Sequence, residues 1–484
     1  MPVFSLRSEN DFGVGDFADL KLLADWAKAT GQSFIQILPV NDTTMSRTNA
    51  DSYPYNANST FALHPMYLRI EELGTPSRKA DRERFKAMRI ELQALPAVDY
   101  TAVIKAKEEY SRLIFAEQGE KTLASPEFAE FVAGNASWLL PYAAWCVLRD
   151  RYRTPDFSQW GTDARFSQAT VVRLLITDTA EMEYHMYIQF HLDRQLREAH
   201  TYANSIGVAL KGDIPIGISR CSADAWQHPE LFNLGMQAGA PPDDFAVLGQ
   251  NWGFPIYNWP RMAADGYAWW RQRLSKMAEY FDAYRIDHVL GFFRIWQIPV
   301  GAVHGLLGHF YPAMPLSADD MQQEFGFTFS EQMLAPGADT KGFASQLAAA
   351  ESGDDAAADA FDDVLFVADS EQPLRYHPRI AAQKTSHYRS LSDDQRRAFD
   401  RLYEEFYYHR HNEFWRHKAM EKLPALVGAT TMLPCAEDLG MIPASVPSVL
   451  ADLQILSLEV QRMPKEYGRE FGHPAGYPYM SVCT

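Results

Sequence analysis

Two carboxylates stand where short apolar segments of this chain end. The first lies in Arg285-Ile286-Asp287-His288. If residues 282–287 form a strand, alternation sends Arg285 and Asp287 to one face and Ile286 to the other. A guanidinium fixed beside Asp287 keeps that carboxylate ionised. An ionised carboxylate can attack an acetal carbon; standing alone, an Arg-x-Asp triplet is more often a structural ion pair. The second lies in Cys435-Ala436-Glu437-Asp438-Leu439-Gly440, after the apolar run 432–436 and before a glycine turn. Partly desolvated and near another carboxylate, Glu437 is expected to hold its proton longer than a free glutamate and to act as a general acid. An N-cap or loop acid is the plainer use of a carboxylate there, and it suits Asp438.

The company of these two acids points the same way. Asp51-Ser52-Tyr53-Pro54-Tyr55 is followed by Phe61-Ala62-Leu63-His64-Pro65, and Ala240-Pro241-Pro242-Asp243-Asp244-Phe245 by Gly249-Gln250-Asn251-Trp252-Gly253-Phe254-Pro255-Ile256-Tyr257. Flat aromatic faces mixed with amides and carboxylates suit the stacking of pyranose rings and the bonding of their hydroxyls. Each loop by itself would pass for core or interface.

Something must hold these residues at one edge. Short apolar segments at 34–40, 208–214, 282–287, 432–436, 455–461 and 479–483 alternate with longer helical stretches, the rhythm of a parallel α/β protein. A further short strand is expected at 3–6, and a helix at 17–30 that Gly31 stops. Strands buried on both faces should be short and apolar, and the candidate residues sit where such strands end, as in a barrel. The fold class expected is therefore α/β, a TIM (β/α)8 barrel with large helical insertions. Barrel segments fall at 1–64 (strands 1–2), 204–300 (strands 3–4) and 417–484 (strands 5–7). A mostly helical inserted subdomain occupies 65–203 and a second insertion 301–416. Within the latter, the Ala- and Asp-rich stretch 348–363 reads as a solvated helix or loop and 393–418 as one long charged helix.

Composition removes other classes. The chain of 484 residues is 47% hydrophobic with a formal net charge of −17, which disfavours nucleic acid, whose phosphates need clustered Lys and Arg. Four scattered cysteines without a CxxC pair, and no local run of histidines, read as reduced residues rather than a disulfide frame or zinc site. No apolar run approaches the ~18 residues needed to span a bilayer, and the first residues lack the sections of a signal peptide. A cytoplasmic protein without a membrane partner is expected.

Taken in order, segments 4–9, 36–40, 53–65, 212–215, 241–257, 285–288 and 437–440 resemble the amylomaltase (disproportionating-enzyme) family of 4-α-glucanotransferases, glycoside hydrolase family 77, over nearly the whole chain. The resemblance implies a retaining transfer of α-1,4-glucan units, with Asp287 as nucleophile and Glu437 as acid/base. It puts Arg285 and His288 beside the nucleophile, and Asp213, Trp252 and Tyr55 at the sugar subsites. It implies maltose, malto-oligosaccharides and α-glucan as partners and no metal or organic cofactor, with a homodimer left open. The length between Asp287 and Glu437, with Ser5-Leu6-Arg7-Ser8-Glu9, Leu38-Pro39-Val40-Asn41-Asp42-Thr43 and Val460-Gln461-Arg462-Met463-Pro464, is similar to the plant cytosolic type, whose members carry starch-binding modules ahead of the barrel. The family's third carboxylate, an Asp in a His-Asp pair after the seventh strand, has no counterpart before Thr484, nor has an eighth strand. A fragment with little activity of its own is therefore expected. An α-glucan hydrolase of the amylase type and an inactive glucan-binding fragment are the alternatives.

Overall fold

The computed structural model describes the chain except at residues 244–245, 301, 303, 335–362, 466–467, 479–480 and 484. Among the described residues, the strands run in chain order as β1 (Phe34–Gln36), β2 (Ala209–Ile214), β3 (Phe232–Asn233), β4 (Met236–Ala240), β5 (Gln250–Asn251), β6 (Ile256–Tyr257), β7 (Ala283–Ile286), β8 (Ile295–Pro299), β9 (His309–Tyr311), β10 (Phe366–Ala368), β11 (Tyr376–Pro378), β12 (Leu433–Ala436), β13 (Ser457–Glu459) and β14 (Ser481–Cys483). The backbone separates into two compact units. One comprises Met1–Leu231, Ala264–Asp287 and Leu426–Cys435; the other Phe232–Ala263, His288–Ala425 and Ala436–Thr484.

The first unit is built on a four-stranded sheet of order β1-β2-β7-β12. β2 runs parallel to both neighbours, with Ile35 opposite Leu210 and Asp213 opposite Arg285. Ile35, Leu210, Ile214, Ala283, Tyr284 and Ile286 are buried, as parallel strands covered on both faces require. One glycine in β2 has a steric reason: a Cβ on Gly212 would come within 2.5 Å of the Phe281 ring. The expected strand at 3–6 is not one. Val3–Ser5 forms a 3-10 turn, because Ser5 N–H and Leu6 N–H close back onto Pro2 O and Val3 O at 3.3 and 3.0 Å. The chain still lies along β1, with the Met1 ammonium donating to Gln36 O at 2.7 Å. β1 itself is shorter than the expected 34–40. The ladder continues one residue beyond it, Ile37 N–H donating to Lys211 O at 3.0 Å, and Pro39 has no N–H to extend it.

Helices α1 (Asp19–Ala29), α2 (Lys79–Gln93), α3 (Tyr100–Leu123), α4 (Pro126–Tyr152), α5 (Gln168–Thr177) and α6 (Thr179–Ser205) complete most of this unit. By length and composition α4 could cross a membrane, unlike anything expected from the apolar runs, but 67% of its apolar window is buried inside the protein. In its last turn Arg149 is buried and donates to Thr44 O at 2.8 Å, and Trp145 meets Trp160 at 6.2 Å between ring centroids. α4 is a core helix of a packed unit.

The second unit is organised by an antiparallel sheet of order β5-β4-β8-β9, part of it within the stretch 241–257 that reads as loop from sequence. Hairpin β10–β11 is antiparallel and β13–β14 parallel. The expected single helix at 393–418 is broken. Asp393–Glu404 is α-helical, Glu405–His409 widens into a π turn, and Asn412–Met420 restarts the helix. The break lets His411 turn inward, where it is 1% exposed. There it accepts from Met314 N–H at 2.9 Å and bonds Phe406 O at 2.7 Å. Such single-turn bulges let a helix re-aim one side chain without ending. The stretch 348–362 and residues Asp244 and Phe245 lie outside the described residues.

Candidate active site

In the first unit, β2 and β7 place three charged side chains in one row. The parallel register puts Asp213 beside Arg285, and Asp287 follows two positions later on the same face. Arg285 Nη1 donates to Asp213 Oδ1 and to Asp287 Oδ1, each at 2.8 Å. Asp287 Oδ2 accepts from Ile216 N–H at 3.2 Å, and its own N–H donates to Ile214 O at 3.1 Å. The Asp213 side chain is 1% exposed, whereas those of Arg285 and Asp287 are 18% exposed. Within this row, Asp287 presents its carboxylate toward solvent and Asp213 is sealed behind the guanidinium.

Tyr55 completes the row by donating from Oη to Asp213 Oδ2 at 2.8 Å. Burial, and then the charge of Asp213, push the Tyr55 phenol far above its usual range, so it stays a donor. Tyr53, 62% exposed, packs its ring at 5.6 Å from that of Tyr55. Burial raises Asp213 to about 6; Arg285 opposes that rise and Asp287 adds to it. Arg285 pays a desolvation cost that the two aspartates outweigh, and it is held protonated well above its usual value.

The second unit carries the other carboxylate. Glu437 follows β12 directly. Its Oε2 accepts from His288 N–H at 3.0 Å and its Oε1 from Leu439 N–H at 3.2 Å. Its backbone O accepts from Val289 N–H at 3.0 Å. His288 adopts a left-handed φ of 43°, a conformation that costs a non-glycine residue about 1–3 kcal/mol and tends to mark functional positions. Its ring meets Trp252 edge-on at 4.9 Å. Trp252 is oriented by donation from Nε1 to Gln250 Oε1 at 3.0 Å and by stacking on Phe254 at 5.7 Å. A cleft of about 720 Å³ in this unit is lined by His288, Pro241, Asp243, Gly440, Met463 and Arg469, among others. Asp438 plays the plainer part expected of a loop acid: 3% exposed, it accepts from Leu458 N–H at 2.9 Å and from Lys465 Nζ at 2.7 Å.

The expected residues thus fall into two constellations. Tyr55, Asp213, Arg285 and Asp287 are hydrogen-bonded together, and Trp252, His288 and Glu437 form a second connected set. Spacing did not foretell Gln250, whose only signal was its place beside the tryptophan, nor a grouping of His309, Asp369 and His377 drawn from three separate segments. The described cysteine side chains, Cys146, Cys221 and Cys435, are free thiols.

Comparison with known proteins gives a consistent picture. A family model described as 4-alpha-glucanotransferase matches residues 1–484. The protein named 4-alpha-glucanotransferase DPE2 from Oryza sativa subsp. japonica is 39% identical over 532 residues, covering 100% of this chain and 56% of its own. A 4-alpha-glucanotransferase from Chlamydia muridarum is 33% identical over 297 residues, covering 61% of this chain and 55% of its own. The chain spans about half the length of these curated relatives. Among solved structures, an amylomaltase from Streptococcus agalactiae in complex with acarbose aligns with a TM-score of 0.68 at 19% identity, covering 100% of this chain and 77% of that one. An amylomaltase from Corynebacterium glutamicum gives 0.62 at 20% identity, covering 100% and 53%. At such identities the likeness concerns fold: an α/β architecture with a partial, open parallel sheet, that of an incomplete (β/α) barrel.

Proposed function

Because the chain belongs to the 4-alpha-glucanotransferase family, glycoside hydrolase family 77, we propose that it carries out a retaining transfer of α-1,4-glucan units, with Asp287 as nucleophile and Glu437 as general acid/base. The observation that carries this reading is the shared guanidinium: Arg285 Nη1 donates at 2.8 Å to Asp213 and to Asp287, and Asp287 is the more exposed of the two carboxylates. Asp287 is also followed directly in the chain by His288, whose N–H holds Glu437.

The steps follow from the groups. Glu437 gives its proton to the glycosidic oxygen while Asp287 attacks the anomeric carbon, forming a glucosyl ester and releasing the rest of the donor. Glu437 then takes the proton of an acceptor sugar hydroxyl, which displaces Asp287 and restores the original anomeric configuration. Tyr55 offers a hydroxyl partner for sugar hydroxyls, Asp213 holds Tyr55 and Arg285 in place from behind, and Trp252 and Tyr53 offer flat faces for the rings. The donor is maltose or a malto-oligosaccharide and the acceptor an α-glucan, the pattern of the plant cytosolic type. That assignment is supported by the alignment with the rice protein, which takes in the whole chain.

Product analysis tests the reaction class. The full-length protein incubated with maltotriose should yield glucose together with longer oligomers; products no longer than the substrate would make it a hydrolase instead. An activated glucosyl donor should add one hexosyl mass to the peptide bearing Asp287. Retention of that label in Asp287→Ala would eliminate Asp287 as the nucleophile.

A further inference from the structure

We propose that His309, Asp369 and His377, all in the second unit, form a binding site for one divalent transition-metal ion of the zinc class, separate from the glucan chemistry. One potential ligand atom from each residue lies within 4.8 Å of the others. A tetrahedral ion with bonds of ~2.0–2.1 Å sets its ligands ~3.3 Å apart, so loading needs a contraction of no more than roughly 1.5 Å.

The surroundings are arranged as those of metal ligands are. Asp369 Oδ1 accepts from Glu371 N–H at 2.9 Å and Gln372 N–H at 2.7 Å, which leaves Oδ2 aimed at His377 Nε2 at 2.8 Å. His309 Nδ1 donates to Phe310 O at 3.2 Å, leaving Nε2 with its lone pair. Backbone bonds of this kind set the tautomer and direction of ligating groups. The two imidazoles stack at 4.0 Å with 20° between planes, so one ring has to turn for both in-plane lone pairs to meet a single ion.

A simple His–Asp pair does not account for what remains. His377 Nδ1 and Gln297 Oε1 are buried and have no hydrogen-bond partner among the described residues. Gln297 stands opposite His309 in the β8–β9 ladder and donates from Nε2 to Ser370 Oγ at 3.0 Å. Its side chain therefore lies on the same face of that sheet as His309. Polar atoms buried this way are expected to find partners; an ion replacing the proton between His377 Nε2 and Asp369 Oδ2 would move the ring N–H to Nδ1, and a water on the ion would offer Gln297 Oε1 a donor. Two imidazoles and one carboxylate select zinc-like ions over Ca²⁺ or Mg²⁺, which take oxygen ligands. The ion would tie β9 to hairpin β10–β11.

The test uses full-length protein purified without a polyhistidine tag, stripped with chelator and titrated with Zn²⁺ or Co²⁺. The expected result is one Zn²⁺ per chain by elemental analysis, a tetrahedral Co²⁺ absorption band, and a higher melting temperature with Zn²⁺. Asp369→Asn and His309→Gln should each weaken binding at least about 100-fold. Wild-type protein that shows neither the Co²⁺ band nor a Zn²⁺-dependent melting shift overturns the proposal, even if a variant fails to fold. So does binding unchanged in both folded variants.

Discussion

Arg285 Nη1 serves two carboxylates at 2.8 Å each, so the charge on Asp213 bears on what Arg285 can do for Asp287. Asp213 is raised, chiefly by burial, from the usual carboxylate value to about 6. The folded state therefore keeps a proton at Asp213 that the unfolded chain has released. That contribution is complete below about pH 4 and is lost as pH rises through about 6. A shift of roughly two units corresponds to about 3 kcal/mol. Urea unfolding from pH 4 to 7 should show wild-type stability falling by up to that amount relative to Asp213→Asn; parallel pH profiles would contradict it. Asp287→Asn should lower kcat on the order of 10⁴-fold, measured as glucose release from maltotriose. Arg285→Lys replaces a planar fork with a point charge that cannot reproduce both contacts. Its kcat should fall more than its KM rises, and equal changes in the two would indicate a binding role instead.

At the scale of elements, the site depends on β2 lying close enough to its neighbours for Asp213 and Arg285 to pair. Gly212 permits this, since a Cβ there would stand 2.5 Å from the buried Phe281 ring. Gly212→Ala should cost about 1–3 kcal/mol and lower the urea midpoint without changing the slope. A variant as stable as wild type would show that Phe281 can yield. These parallel strands were readable beforehand because they are short apolar runs ending in charged residues, and strand alternation alone aligns Arg285 with Asp287. The second unit was less so. β4, β5 and β8 are two to five residues long, too short for a period to emerge, and their pairings are set by partners distant in sequence. The same reason hid His309 and His377, which lie 68 positions apart on strands of two different sheets and meet only in the packed fold. The turn at Val3–Ser5 was missed because an apolar tetrapeptide after proline fits a strand and a 3-10 turn alike.

For the whole molecule, a formal net charge of −17 repels polyanions but exerts little pull on an uncharged glucan. Between 50 and 500 mM salt the KM for maltotriose should change less than about twofold, while any binding to heparin or DNA should be negligible throughout. A steep salt dependence of KM would argue for a charged acceptor. The buried helix α4 makes a second statement at this scale. Its apolar residues are spent on a packed interior, so its length and hydropathy are properties of a core element.

The hydrogen bonds that hold the Glu437 carboxylate come from the main chain at His288 and Leu439. Substitution scanning cannot remove such donors, because every residue except proline supplies the same N–H. This part of the carboxylate's anchoring is therefore independent of which side chains stand at positions 288 and 439. Replacing the His288 ring would change the contact with Trp252 and leave that main-chain donor in place.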